Sequence, residues 1–202
     1  MSSDQLRRWS GLASIVGGLC LALFALLHPP RDITLASGSF WVIEHQLGVA
    51  AFVLMPFGLT GIYTRQADKI GLQGFIGFVL AFSGITLYMG GIFLDAYIFP
   101  VIVGETPELV EGILQAEVSG PPAVGLGLAS VLFSLGFLIL GFSTAQAKVL
   151  PRWGGIMLLV GGAIFGPGPI FPKLIQTLAA VALGLGFVWS GYTLWSEQKQ
   201  GL

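Results

Sequence analysis

The sequence predicts an all-α integral membrane protein: six transmembrane helices arranged as three helical hairpins that repeat in parallel. Three observations predict it. Apolar residues make up 54% of the chain and charged ones only 9%, with a mean hydropathy of +0.87, more oil than a soluble globule of this size can hide. The apolar residues fall into six runs, and at ~20 residues per hydrocarbon crossing these fill nearly all 202 residues as a single transmembrane domain. Basic residues alternate in abundance from one connection to the next, as they do in multi-pass proteins.

The first run, about residues 9–28, follows Arg7 and Arg8. A basic start also marks signal peptides, but this run is too long for a signal core and ends in His28-Pro29-Pro30 without a small-residue cleavage site, so a retained helix is expected. The second and third runs cover about 40–63 and 71–100, the fourth 122–144, the fifth 153–171 and the sixth 174–195. Gly166-Pro167-Gly168-Pro169 breaks the fifth early, so its far end is expected to be non-helical and shielded by neighbours. Between the third and fourth runs, Thr106-Pro107-Glu108 is an N-cap followed by proline at the first helical position. Leu109, Val110, Ile113 and Leu114 then share a face, which predicts a short amphipathic helix over about 107–117 on the outer surface.

With a cytoplasmic N-terminus, Arg7, Arg8, Arg65, Lys69, Lys148, Arg152 and Lys199 lie inside and only Arg31 and Lys173 outside. That asymmetry places both termini in the cytoplasm. Arg8-Trp9-Ser10-Gly11 through Val16-Gly17-Gly18 aligns with Arg152-Trp153-Gly154-Gly155 through Val160-Gly161-Gly162, six of eleven positions being identical. Gly61 to Ala67 likewise matches Gly141 to Ala147, with an echo at Gly191. Odd helices share a start and even helices share an end, so the repeating unit is a two-helix hairpin. Small residues four apart, such as Ser14 and Gly18 or Gly77 and Ala81, suit close helix packing, self-association or partner membrane proteins.

Ionisable groups are costly inside a bilayer, about 2.5–3.5 kcal/mol each at a helix centre on insertion scales, so those retained near the membrane invite a reason. Five residues meet near the outer boundary in this reading: His28, Trp41, Glu44, His45 and Asp95, with Arg31 and Asp32 in the adjoining loop. Trp41 and His45 share a helix face, and Gly48 leaves room for a neighbour. In the repeat frame His28 corresponds to Gly91 and Pro172, and His45 to Gly125, so the polar residues are additions to the first hairpin. Neutral imidazoles and carboxylates are the ligand types of a metal, and two histidines are the minimum for a bis-ligated haem, but no recognised spacing accompanies them. A quinone, pigment or lipid headgroup is equally compatible, as is mutual hydrogen bonding that satisfies helix ends. No HExxH or serine–histidine motif is present. The single cysteine, Cys20, excludes a disulfide framework, and a net charge of −1 without a basic run argues against nucleic acid.

Leu27-His28-Pro29-Pro30, Trp41 to Gly48 and Gly58 to Gln66 resemble segments of a group of uncharacterised bacterial membrane proteins. Those proteins share a His-Pro after helix one, a Trp-x-x-x-His in helix two and a glycine-rich remainder. The resemblance implies residence in the bacterial inner membrane and brings no activity with it. Together these readings lead to a non-enzymatic inner-membrane protein, free-standing or an accessory subunit of a membrane complex. A small haem-, pigment- or metal-binding protein using His28 and His45 is the alternative, and a channel or carrier for a small neutral solute the third.

Overall fold

Glycine placement decides which helices touch and how closely. In the computed structural model, which describes residues 3–29, 35–36 and 38–196, every regular element is helical. Arg31, Asp32 and Lys199 lie outside the described residues. Helix α1 (Ser3–Leu27) ends where the His28 N–H bonds the Phe24 carbonyl at 2.8 Å, because Pro29 disfavours helical geometry at the residue before it.

Helix α2 (Ser39–Phe93) is a hairpin in disguise. At Gly71 the backbone turns to φ 53 and ψ −150, a conformation essentially reserved for glycine. On either side of it Tyr63 stacks on Phe78 with centroids 4.6 Å apart and Phe52 meets Tyr88 at 6.2 Å. Further out, the Trp41 indole N–H donates to the Asp95 carbonyl at 2.8 Å. The pairs recede from Gly71 in step, so the arms 39–70 and 72–93 run antiparallel.

Beyond Phe93 the second arm passes through a π-helical turn (Leu94–Ile98) into α3 (Phe99–Glu105), where a stop near residue 100 was expected. Pro100 explains the wide turn. In it the Phe99 N–H bonds Leu94 five residues back. The next N–H in that pattern would belong to Pro100, which has none, and Trp41 supplies the missing donor to Asp95. Helix α4 (Pro107–Ser119) then lies against α5 (Pro121–Ala147). Thr106 does occupy the N-cap of α4, but it contributes its carbonyl, bonded to the Leu109 N–H at 3.1 Å, and no side-chain cap.

Helix α6 (Arg152–Phe165) has 14 residues, and at ~1.5 Å each spans well short of the ~30 Å hydrocarbon core. Gly166 to Phe171 follow as a non-helical stretch with one 3-10 turn, and α7 (Lys173–Ser196) returns. Among the described residues four helical segments are long and apolar enough to cross a membrane: Asp4–Leu27, Ser39–Glu105, Pro121–Ala147 and Lys173–Ser196. Leu23, Phe57, Val131 and Trp189 are exposed on their outward faces, an apolar surface suited to lipid rather than water.

The helices close into a ring. Helix α1 packs on α7 and the first arm of α2; the second arm packs on α5, α5 on α6 and α6 on α7. Glycines make most of these seams. A Cβ on Gly58 would sit 2.6 Å from the Ser14 Cα, and one on Gly77 the same distance from the Leu140 nitrogen. Gly11 faces Gly191 across the α1–α7 seam, and Gly155 faces Gly141 across the α5–α6 seam, so the matching glycines of the sequence repeat occupy matching seams. Phe133, Phe137 and Phe187 fill the centre with no exposure, their neighbouring centroids 4.7 and 5.8 Å apart. One buried polar bond crosses the seam between α2 and α5, Gln66 Nε2 donating to Thr144 Oγ1 at 2.8 Å.

The start of α1, the end of α7, the Gly71 turn and the basic residues Arg7, Arg8, Arg65, Lys69, Lys148 and Arg152 share one end of the bundle, here the terminal end. His28, the π turn and the broken end of α6 share the other, distal end. A Cβ on Gly136 runs into the Ala81 backbone, whereas one on Gly125 meets nothing within 4 Å. Gly136→Leu should therefore cost on the order of 1–3 kcal/mol or more, while Gly125→Ala leaves the fold intact. Thermal unfolding of the two variants in mild detergent checks this, and equal melting temperatures would refute glycine-limited packing.

Candidate functional site at the distal end

Five polar residues from three stretches of chain meet at the distal end. His28 closes α1, Trp41, Glu44 and His45 occupy the first two turns of α2, and Asp95 lies in the π turn. Helical periodicity puts Trp41 and His45 on one face, and their rings stack with centroids 4.2 Å apart and planes at 27°. Phe24 and His28 meet His45 edge-on, at 5.6 and 5.1 Å. Gly48 makes that possible: a Cβ there would press at 3.2 Å on both the Phe24 ring and Ile92.

Glu44 is the hub. Its Oε1 lies 3.1 Å from His28 Nδ1 and 2.6 Å from His45 Nδ1. His45 Nδ1 is also 2.9 Å from the Trp41 carbonyl. Both neighbours of His45 Nδ1 are acceptors, so that nitrogen carries the hydrogen. The His45 Nε2 and the Glu44 Oε2 are buried and have no hydrogen-bond partner among the described residues. Glu44 and His45 are both 0% exposed, while the His28 side chain retains 25%. The two imidazoles converge on one oxygen, a spacing that suits a proton or a small cation and leaves no gap for a porphyrin plane.

His28 also lines a cavity of about 510 Å³ enclosed by all the long helices. Its walls are mainly apolar, with Phe24, Phe52, Leu126 and Phe165 prominent, and Asp95 and Lys173 lie on its lining beside His28. Two glycines keep it open. A Cβ on Gly127 meets nothing within 4 Å, and one on Gly91 comes no nearer than 3.9 Å to Leu126.

The broken end of α6 forms part of the wall, and its exposed backbone consumes several of the cavity's polar groups. The Tyr88 and Ser130 hydroxyls both donate to the Gly166 carbonyl, the latter at 2.8 Å. Gln176 Nε2 donates to the Phe171 carbonyl at 2.6 Å. Non-helical backbone at membrane depth needs such partners or a water-filled cavity. His28 and Lys173 are left facing the space with polar atoms not committed to this backbone.

The sequence had not singled out Lys173, Gly91 or Gly127. A lone lysine at a helix start looks like an interfacial anchor, and a cavity made by missing side chains leaves no residue type to notice. The repeat carried a signal nonetheless, since Gly91 is the counterpart of His28 and now stands across the same cavity from it.

Burial pushes the His28 imidazole below its ordinary value of 6.5, with Lys173 and His45 adding to the effect and the Glu44 carboxylate opposing it. The folded chain thus resists protonation that the unfolded chain accepts, so this contribution to stability is present above 6.5 and is lost as pH falls below it. Melting temperatures measured from about pH 8 to about pH 5 should fall more for the native chain than for His28→Asn. Parallel curves would contradict the assignment. Comparison of the chain with family models, with curated proteins and with solved structures gives no match.

Proposed function

We propose that this chain is a non-enzymatic, multi-pass protein of the bacterial inner membrane that binds a small amphipathic molecule in its distal cavity. Six crossings are proposed, α1, the two arms of α2, α5, α6 and α7, forming three hairpins about a common core. The glycine pairs Gly11–Gly191 and Gly141–Gly155 at equivalent seams support the repeat. The gathering of six basic residues at the terminal end supports a cytoplasmic location for both termini, which makes the distal end the outer one.

The observation that carries the binding reading is the cavity itself. Close packing leaves few voids larger than a water molecule, and a space of about 510 Å³ lies within the range of small-molecule sites. Its chemistry is divided: aromatic and aliphatic walls toward the bundle centre, then His28 and Lys173 at the mouth. A ligand with an apolar body and an oxygen-bearing, preferentially anionic head complements that division. The bilayer is the nearest reservoir of such molecules. Polar residues tied up in hydrogen bonds to Gly166 and Phe171 make poor reactive groups, which favours binding over catalysis.

Gly127 offers a test because it lies on the cavity lining and a Cβ there meets nothing within 4 Å. A dansylated fatty acid should gain blue-shifted fluorescence with the native protein, lose it with Gly127→Phe, and bind several-fold more weakly to Lys173→Gln. Organic extraction of native protein should release a stoichiometric amphiphile that Gly127→Phe lacks. Equal fluorescence from native protein and Gly127→Phe would overturn the proposal.

A further inference from the structure

We propose that His28, Glu44 and His45 form a binding site for one divalent transition-metal ion of the zinc class. One ring nitrogen from each histidine and one Glu44 carboxylate oxygen all lie within 4.8 Å of one another. Two imidazoles and one carboxylate are a complete set of protein ligands for zinc in sites that keep a fourth position open. Metal–ligand distances of 2.0–2.1 Å place tetrahedral ligands about 3.3 Å apart, so closure asks for side-chain shifts on the order of 1 Å. His28, partly exposed and at the end of α1, has the freedom to make them.

Hydrogen-bond accounting points the same way. His45 Nδ1 must carry a hydrogen because it faces the Trp41 carbonyl and Glu44 Oε1, which leaves Nε2 as a buried lone pair. Protonating Nε2 exchanges a lone pair without a donor for an N–H without an acceptor. Glu44 Oε2 is buried with the same deficit. No protonation state of this pair satisfies both atoms from the described protein groups, so the cluster is short of a partner as it stands.

Electrostatics supplies a further reason. A carboxylate with no exposure in an apolar bundle, contacted by both imidazoles through Oε1 and leaving Oε2 without a partner among the described residues, is a charge of the kind proteins satisfy by pairing or by metal coordination. Lys173 is close enough for its charge to influence Glu44, yet it is exposed and forms no short ion pair with it. This site shares His28 with the cavity mouth, whereas Glu44 and His45 lie outside the cavity lining.

The test uses untagged full-length protein, stripped with chelator and titrated with Zn²⁺ or Co²⁺. The expected results are one equivalent of Zn²⁺ per chain, a melting temperature raised by Zn²⁺, and intense visible ligand-field absorption from the Co²⁺ form. Glu44→Gln and His28→Asn should each lose the absorption and the thermal shift, and Glu108→Gln, on the exposed face of α4, should keep both. His28→Asn alters a partly exposed residue, so its fold is expected to survive even if Glu44→Gln fails to assemble. Absence of stoichiometric binding, or binding undiminished in His28→Asn, would overturn the site. Fatty-acid binding in the cavity is read separately with Gly127→Phe, which leaves His28, Glu44 and His45 in place.

Discussion

Close approach of helix backbones, allowed only where a side chain is missing, is the constraint from which the rest of this structure follows. In a bilayer, the setting proposed for this chain, lipid is as apolar as leucine, so contact between helices depends on van der Waals fit. Gly11, Gly58, Gly77, Gly155 and Gly191 provide that fit along the terminal half and middle of the seams. At the distal end the pattern lapses. On the cavity lining, a would-be Cβ on Gly127 meets nothing within 4 Å and one on Gly91 comes no nearer than 3.9 Å to Leu126, so the same residue type that closes one half of the bundle leaves space in the other.

An open end brings a second requirement, because backbone freed from a helix inside an apolar layer must find partners. Two interruptions show how this is met. Pro100 withholds a proton from Asp95 and the indole of Trp41 supplies one; α6 stops at Phe165 and two hydroxyls converge on Gly166. Trp41 is thereby held rigid, and His45 stacks on it. The polar cluster is thus tied to the helix break opposite it through one tryptophan.

Much of this was legible from residues alone because the chain is so apolar. Against that background His28, Glu44, His45 and Asp95 stand out, and the structure gathers them with Trp41 at one end. The early stop of α6 was visible in Gly166-Pro167-Gly168-Pro169, and its need for shielding follows from peptide chemistry. Other features were hidden for physical reasons. Gly71 resembles any of thirty glycines, and only its positive φ marks the reversal between the two arms of α2. The π turn needed the knowledge that Trp41 sits opposite Asp95, a contact across 54 positions of sequence. Lys173 gained meaning only when α7 brought it beside the cavity.

The reversal at Gly71 has a mechanical consequence. Two arms joined by one residue, with Gly74 packed directly on Ile70, have almost no slack where they meet, and the Trp41–Asp95 hydrogen bond fastens them again at the distal end. Such a hairpin is a strut pinned at both ends, and it contributes Phe52, Tyr88 and Gly91 to the cavity wall between the pins. A molecule taken up by the proposed distal site therefore meets one wall whose two halves are tied together above and below it.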